Sequence, residues 1–207
     1  MLVMVSNNSK GIVHHLATKY PGSIGHLYSP GGWSNPVPWL PFALDNGAFV
    51  AFKNKTEWDA DKFLTMCDKT LSAPTPPRWV LVPDVVCDRV ATIERWCEWS
   101  EKLRRFKWPM AFAVQDGMTP DDVPKSAEVV FVGGSTEWKR STIHRWVGSF
   151  RRVHVGRINT IDWLIYCERM GVESVDGTGW YHHKQMDQLV RWLKGHTRTQ
   201  CEMEGLQ

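Results

Sequence analysis

Short, continuously apolar runs rich in valine alternate along the chain with longer stretches in which apolar residues recur at helical spacing. Uninterrupted apolar runs of this kind are typical of parallel strands that are covered on both faces. The runs predict strands at 2–5, 24–28, 42–45, 79–83, 110–115, 129–133, 153–157 and 173–176. The amphipathic stretches predict helices at about 9–19, 57–72, 89–106, 137–149, 160–170 and 182–194.

Strands that alternate with helices predict an α/β fold, and eight such units predict a closed (β/α)8 barrel of the TIM type. The barrel is compact, because 207 residues leave about 26 for each unit, and we expect residues 1–207 to form one domain. A doubly wound open sheet is the alternative. No GxGxxG sequence follows the first strand, which disfavours a dinucleotide-binding fold of that kind.

Local signals refine the helix boundaries. Asp88 precedes the helix predicted at 89–106, and we interpret it as the N-cap. Thr56 and Thr119 each stand before acidic residues and predict two further helix starts. Residues 29–41 contain too many prolines and glycines for a helix, so we expect an ordered loop over one face of the barrel.

The composition, with 43% hydrophobic and 23% charged residues, is that of a soluble globular protein. A formal net charge of +3 permits a nucleic-acid partner without requiring one, and we interpret the clustered Lys and Arg residues as solvated helix faces. The five cysteines form no CxxC pair, and the adjacent histidines of the His14-His15 and His182-His183 pairs do not share a helix face. We therefore expect no metal site.

The cysteines and the hydropathy pattern also bear on location. Scattered cysteines without a disulfide framework are typical of reduced thiols in the cytosol. No apolar stretch approaches the roughly 20 residues that a membrane-spanning helix needs. We therefore expect a cytoplasmic protein that does not associate with membranes.

Polar residues or glycines stand where the predicted strands end. α/β barrels build their active sites at the carboxyl ends of their strands, so residues at these positions are expected to share one cleft. The pattern therefore predicts an enzyme. The residues concerned are Asp45, Asp84, Gln115, Gly133, Gly134 and Asp176.

Two carboxylates in one cleft can divide the chemistry between them. Of Asp45 and Asp176, one can act as an ionised nucleophile while the other acts as a general acid or base. The competing interpretation is that an aspartate after a strand caps the helix that follows it.

The neighbouring residues are suited to a flat heterocycle. Asp84 can accept hydrogen bonds from an amidine-like edge such as that of guanine, and Gln115 offers both a donor and an acceptor. Gly133 and Gly134 let backbone amides approach a planar ligand. Phe49 is either a stacking surface for that ligand or a core aromatic. Together these residues predict a purine-base pocket beside a carboxylate nucleophile.

The same residues resemble the motifs of the tRNA-guanine transglycosylase superfamily, and more closely those of small phage and bacterial DpdA-like proteins that place 7-deazaguanines in DNA. Asp45-Asn46-Gly47-Ala48-Phe49 looks like the family's Asp-Ser-Gly-Gly-Tyr motif, and Val80-Leu81-Val82-Pro83-Asp84 is similar to the strand that ends in its base-recognising Asp. Ala113-Val114-Gln115-Asp116-Gly117 resembles Val-Gln-Gly-Gly, and Val132-Gly133-Gly134 resembles the Gly-Gly that reads the base carbonyl.

Two further segments continue the resemblance in the same order. His154-Val155-Gly156 sits where the family has its His-Tyr-Leu-Met-Gly-Val-Gly strand, and Ser174-Val175-Asp176 is similar to the strand with the nucleophilic Asp. The motifs cover residues 42 to 179, about two thirds of the chain. Each motif is weak alone, whereas six in the right order are fairly specific.

The resemblance implies roles for these residues. Asp176 is expected to be the nucleophile and Asp45 the general acid/base, in an exchange of guanine for a 7-deazaguanine such as preQ0. The exchange passes through a covalent glycosyl-enzyme intermediate and uses no metal or other cofactor. The base-binding residues that the resemblance implies are Asp84, Gln115, Gly133, Gly134 and Phe49.

The chain departs from the tRNA enzymes of the family in two respects. It lacks their Cys/His zinc site after the last motif, and Gly177-Thr178-Gly179-Trp180 stands where they have Pro-Thr-Arg. We therefore expect a barrel without the zinc-binding subdomain, and DNA, single-stranded or locally opened, as the partner instead of tRNA. A phage-encoded protein of this kind acts in the cytoplasm of the host.

Two residues outside the base pocket are candidates for contact with nucleic acid. Arg157, just after its strand, can meet a phosphate, and Trp180 can stack on a base unless it packs inside the protein. The same pocket also suits a base-excising glycosidase or nucleoside hydrolase, a tRNA-guanine transglycosylase, or a non-catalytic nucleic-acid-binding subunit. The last of these has no need of both Asp45 and Asp176.

Overall fold

The computed structural model describes residues 1–6, 11–181 and 183–204. Eight parallel strands pair in chain order, and the last strand pairs with the first, which closes the sheet into a barrel. Every predicted strand is confirmed to within two residues at its ends, and closure excludes the doubly wound open sheet. The strands are β1 (Leu2–Ser6), β2 (Ile24–Tyr28), β3 (Phe42–Leu44), β4 (Val80–Leu81), β5 (Met110–Val114), β6 (Val129–Val132), β7 (Val153–Val155) and β8 (Ser174–Gly177).

The described residues also form seven α-helices, six of which overlap the predicted ones. The helix predicted at 182–194 begins at His182, which lies outside the described residues, and the observed helix extends further towards the carboxyl terminus. Residues 29–41 form neither helix nor strand, as expected. The helices are α1 (Gly11–Lys19), α2 (Ala48–Asn54), α3 (Ala60–Thr70), α4 (Arg89–Leu103), α5 (Thr136–Ser149), α6 (Ile161–Arg169) and α7 (His183–Glu204).

Helix α2 and the start of α3 differ from the sequence-based prediction. Helix α2 was not predicted because it is short and begins after Gly47, a residue without a capping side chain. The helix start predicted at Thr56 is wrong, because the backbone N–H of Thr56 donates to Ala51 and closes α2 instead. Helix α3 begins later, with Asp59 as its N-cap.

The other two predicted caps are observed. The Asp88 side chain accepts a hydrogen bond from the backbone N–H of Ala91 at 2.9 Å and caps α4. Thr119 forms a capping box, but the helix that follows is a single 3-10 turn at Pro120–Asp122. The turn ends there because Pro124 favours extended backbone at the residue before it.

Side chains at alternate strand positions fill the inside of the barrel, and the positions between them pack against the helices. The inward positions form an apolar cluster of Leu2, Met4, Leu27, Ala43, Trp79, Leu81, Ala111, Ala113 and Val129, with Phe131 packed against it. This cluster closes the barrel beneath its carboxyl end.

The next inward positions carry polar side chains. Ser6 lies two residues after Met4 on β1, and Asp45 lies two residues after Ala43, just beyond the end of β3. Gln115 follows Ala113 in the same way. The pleat of the strands therefore brings polar groups together on top of an apolar floor. Within the described residues, no helix is both long and apolar enough to cross a membrane.

Candidate active site

A cavity of about 650 Å³ opens at the carboxyl end of the barrel. This volume is within the range of pockets that hold small molecules and cofactors. The sequence predicts nine residues for this site, and one of them, Trp180, is fully buried and does not line the cavity. The other eight line the cavity, and they are Asp45, Phe49, Asp84, Gln115, Gly133, Gly134, Arg157 and Asp176.

Asp45 is the first residue after β3 and lines the cavity. Burial, followed by the negative charges of Asp176 and Asp84, raises the pKa of Asp45 from 3.8 to about 7. Hydrogen bonds from the backbone N–H groups of Gly47 and Asn46 act in the opposite direction. A carboxyl group with a pKa near neutrality can both supply and accept a proton at physiological pH. Asp45 is therefore suited to acid–base chemistry.

Asp176 lies within β8, is only 6% exposed, and has a carboxylate held by three donors. The Ser6 hydroxyl lies 3.3 Å from Oδ1. His154 Nε2 lies 3.1 Å from Oδ2, and the backbone nitrogen of Arg157 lies 3.3 Å from the same oxygen. The three contacts fix the orientation of a carboxylate that faces the cavity. Such an arrangement suits a nucleophile that must attack from one direction.

Asp84, beyond the end of β4, is held by two side-chain amides. Asn46 Nδ2 donates to Oδ1 at 2.8 Å, and Gln115 Nε2 donates to Oδ2 at 3.1 Å. Burial raises the pKa of Asp84, although the hydrogen bond from Asn46 lowers it. Each carboxylate oxygen can accept more than one hydrogen bond, so Asp84 can still receive donors from a ligand.

The Gln115 amide is occupied by contacts within the protein. Besides Asp84, its Nε2 donates to the backbone carbonyl of Val85 at 3.0 Å and to Thr92 Oγ1 at 3.1 Å. Its Oε1 accepts a hydrogen bond from the backbone N–H of Cys87. Gln115 thus fixes Asp84 and the loop that follows it. A base can bind to Gln115 directly only if it replaces one of these partners.

Asn46 is a residue of the cavity that the sequence analysis did not single out. It is 1% exposed, and its Nδ2 donates to the carbonyl of Val82 at 3.0 Å as well as to Asp84. Its Oδ1 accepts the N–H of Ala48 at 2.7 Å, an Asx turn that starts α2. The one signal in the sequence is its place between Asp45 and a glycine.

The two glycines after β6 differ in what their amides do. The Gly133 N–H donates to the carbonyl of Val114 at 2.9 Å and so continues the ladder between β5 and β6. The Gly134 N–H has no acceptor among the residues that the structure describes, so it can donate to a ligand. A Cβ at Gly134 would lie 2.3 Å from Asp116 Oδ1 and 2.7 Å from Trp138, and φ here is +67°. Only glycine fits this position.

Phe49 and Arg157 meet at the cavity. The Arg157 guanidinium lies 4.5 Å from the centre of the Phe49 ring and donates to the carbonyl of Gly134. Phe49 is 40% exposed, which disfavours the alternative that it is a core aromatic. Arg157 adopts a φ of 61°, which is uncommon for a residue other than glycine and directs its N–H to Asp176.

The indole of Trp180 packs inside the protein, with no exposed surface. A ring buried in this way cannot stack on a nucleobase, so the structure favours the packing alternative for this residue. Among the described residues, no group of three or more His, Cys, Asp and Glu side chains is placed to hold a metal ion.

Comparison with known proteins leaves the chain without an assigned family. No protein-family model matches it, and no curated protein matches it at a significant level. We therefore infer function from the geometry of the cavity and from the motifs that line it.

Proposed function

We propose that this protein is a DNA guanine transglycosylase, which replaces a guanine base in DNA with a 7-deazaguanine such as preQ0. The observation that carries the proposal is a pair of carboxylates at one cavity in different environments. Asp45 has a pKa of about 7, whereas Asp176 accepts hydrogen bonds from three donors. Carboxylates that differ in this way divide acid–base and nucleophilic roles in retaining glycoside chemistry.

In the first displacement, a carboxylate oxygen of Asp176 forms a bond to C1′ of the nucleotide while the bond from C1′ to guanine breaks. The electron pair of the broken bond leaves with the base. Protonated Asp45 supplies the proton that the departing base takes up. With a pKa of about 7, roughly half of the Asp45 side chains carry that proton at neutral pH.

In the second displacement, the incoming deazaguanine gives a proton to Asp45 and attacks C1′ through its ring nitrogen. The bond from C1′ to Asp176 breaks, and the carboxylate is restored. Ser6, His154 and the Arg157 N–H stabilise the negative charge that returns to Asp176. Two successive displacements retain the configuration at C1′. Atoms and charges balance without a cofactor.

The residues around the two carboxylates support recognition of a guanine-like base. Asp84 can accept from the N1–H and 2-amino groups, while the Gly134 N–H can donate to the base carbonyl. The exposed Phe49 ring offers a stacking surface. The Arg157 guanidinium covers that ring, so a stacked base takes its place and frees the guanidinium for a phosphate.

The nucleic acid must present its target base to the cavity. Extrusion from a duplex costs a few kcal/mol, roughly the energy of unpairing and unstacking one base, and a single strand avoids most of it. We therefore propose single-stranded or locally opened DNA as the substrate, with the reaction taking place in the cytoplasm. The buried free thiols of Cys67 and Cys167 agree with a reducing compartment.

The proposal is tested with single-stranded DNA that contains radiolabelled guanine. The purified protein is incubated with this DNA, with and without preQ0, and the DNA is then digested to nucleosides. We expect the loss of more than one label for each protein molecule only when preQ0 is present, together with a deazaguanine nucleoside in the digest. The Asp176→Asn variant, which keeps the size of the side chain, should show neither.

Asp88→Asn is the matched control, because Asp88 caps α4 and does not line the cavity. This variant should exchange bases at the wild-type rate. Loss of many labels for each protein molecule without preQ0 would contradict the proposal and identify a base-excising glycosidase. Exchange in tRNA but not in DNA would identify a tRNA enzyme. Binding of DNA without either reaction would identify a non-catalytic binding subunit.

A further inference from the structure

A chain of polar side chains runs down from Asp176 into the barrel. His154 Nε2 lies 3.1 Å from Asp176 Oδ2, and His154 Nδ1 lies 2.8 Å from Ser174 Oγ. His154 has no exposed surface, and Ser174 is 1% exposed. The three residues occupy inward positions on β7 and β8, where Asp176 lines the cavity and His154 and Ser174 do not.

The surroundings of His154 are otherwise apolar. The Phe131 ring stacks on the imidazole with centroids 4.9 Å apart, and the Trp79 ring meets it edge-on at 4.8 Å. Burying polar groups among aromatic side chains costs free energy unless their hydrogen bonds are made. The two rings also prevent the imidazole from turning, so the directions in which its two nitrogens point are fixed.

The partners of the imidazole define its protonation pattern. The Asp176 carboxylate can only accept, so the nitrogen that faces it, Nε2, carries a hydrogen and donates. The Ser174 hydroxyl can rotate to donate to Nδ1, which leaves Nδ1 as the acceptor. The acceptor-only carboxylate thereby selects the tautomer, and a hydrogen bond from Ser174 to Nδ1 stabilises it.

We propose that His154 is a positioning residue for Asp176, in a tautomer that Ser174 stabilises. This inference rests on the proposed function, in which Asp176 is the nucleophile. Donation from Nε2 fixes the rotamer in which the carboxylate attacks C1′ and stabilises its charge when it leaves in the second displacement. The backbone N–H of Arg157 assists at the same oxygen. His154 itself touches neither DNA nor base.

The tautomer is tested without substrate, by two-bond ¹H–¹⁵N NMR correlation on protein labelled with ¹⁵N-histidine. The His154 signals are assigned by their absence in His154→Gln. We expect the hydrogen on Nε2 and none on Nδ1, and we expect Ser174→Ala to reduce this preference. A hydrogen on Nδ1 with an unprotonated Nε2 would overturn the proposal, whether or not the protein exchanges bases.

The effect on catalysis is tested by comparing two variants at His154. His154→Leu removes the donor, and we expect kcat to fall roughly 10- to 100-fold. Losses of this size are typical when the hydrogen-bond partner of a metal-binding side chain is removed. KM for DNA should change little, because the base pocket is intact. His154→Gln, whose amide nitrogen can replace Nε2, should recover most of kcat.

The two proposals fail in different ways. If the wild type does not exchange bases, the proposed function is wrong, and the NMR result still decides whether His154 holds Asp176. If the wild type exchanges bases and Asp176→Asn does not, equal kcat for His154→Leu and the wild type would refute the positioning role. A His154→Leu protein that does not fold leaves the test to Ser174→Ala and His154→Gln. In that case, wild-type kcat in Ser174→Ala, together with no effect of Ser174→Ala on the tautomer, would refute the proposal.

Discussion

The raised pKa of Asp45 leads to a prediction about protein stability that can be tested without a substrate. Asp45→Asn replaces a titratable carboxyl group with a neutral side chain of nearly the same shape. Burial and the charges of Asp176 and Asp84 penalise the ionised form of Asp45 in the folded protein. The unfolded chain exposes the same carboxyl group to water. Relative to the wild type, the substitution therefore stabilises the folded protein only at pH values above the ordinary pKa of the carboxyl group, where the unfolded wild-type chain is ionised at this residue.

The magnitude follows from the pKa. A change from 3.8 to about 7 corresponds to at most about 4 kcal/mol, at roughly 1.4 kcal/mol for each pKa unit. Because the folded pKa is the higher one, the folded protein binds the proton more tightly. The resulting stability is present below pH 3.8 and is lost as the pH rises to 7. The wild type should therefore lose up to about 4 kcal/mol relative to Asp45→Asn across this range.

The assay is urea unfolding of both proteins at several pH values between 4 and 8, with the free energy of unfolding taken from linear extrapolation. Asp59→Asn is the control, because this carboxyl group is ionised throughout that pH range in both the folded and the unfolded protein. The Lys62 backbone N–H lowers the pKa of Asp59, so the contribution of this carboxylate is present above its ordinary pKa and lost in acid. This change lies below about pH 4, so the difference in the free energy of unfolding between Asp59→Asn and the wild type should stay constant over the assay range.

Parallel stability curves for the wild type and Asp45→Asn would refute the reasoning. A difference that stays constant to within about 0.5 kcal/mol, the usual effect of a surface substitution, would mean that Asp45 is an ordinary carboxylate at neutral pH. Asp45 would then be ill suited to the role of general acid. The expected result is a difference from the wild type that grows with pH in Asp45→Asn and stays constant in Asp59→Asn.

Further predictions concern the surroundings of the cavity. Gly134→Ala should destabilise the protein by more than about 2 kcal/mol in urea unfolding, whereas Gly117→Ala, with positive φ but open space around its Cβ, should cost only about 1 kcal/mol. Equal losses would contradict a steric clash at Gly134. Burial lowers the pKa of Lys139 from 10.5 to about 8. The free energy of unfolding of the wild type, relative to that of Lys139→Met, should therefore rise between pH 8 and 10.5, and a constant difference between the two proteins would contradict this. Phe49→Leu should raise KM for the base without loss of stability, and an unchanged KM would exclude stacking on this ring.

The barrel could be predicted because its strands are buried on both faces. Such strands appear in the sequence as continuous apolar runs, which differ clearly from the periodic helices between them. Eight runs of this kind leave few arrangements other than a closed barrel. Helix α2 was missed because it is short and has no capping side chain at Gly47, and the start of α3 was misplaced because Thr56 and Asp59 both offer a cap.

Several polar residues of the site could also be predicted from the positions at which the strands end. A polar residue directly after an apolar run lies at the carboxyl end of a barrel strand, which is how Asp45 and Gln115 could be located. The contacts of these residues could not be predicted. The Gln115 amide is shared between Asp84, Val85 and Thr92, which belong to a loop and a helix that fold against it.

The contacts of His154, a polar residue within an apolar strand, could be predicted only in part. It stands between Val153 and Val155, so the alternation places it inside the barrel. That it meets both Ser174 and Asp176 depends on the register between β7 and β8, which pairs His154 with Ser174. Register is a property of the assembled sheet and cannot be read from either strand alone.

Mass spectrometry of a trapped enzyme–DNA species is the most direct test of a covalent role for Asp176. The protein is mixed with a guanine-containing oligonucleotide in the absence of deazaguanine, denatured and digested. We expect a base-free 2-deoxyribose of the oligonucleotide bonded through C1′ to the peptide that contains Asp176, with release of free guanine in equal amount and no adduct in Asp176→Asn. Guanine exchange at the wild-type rate in Asp176→Asn, or an adduct on another peptide, would contradict the proposed mechanism.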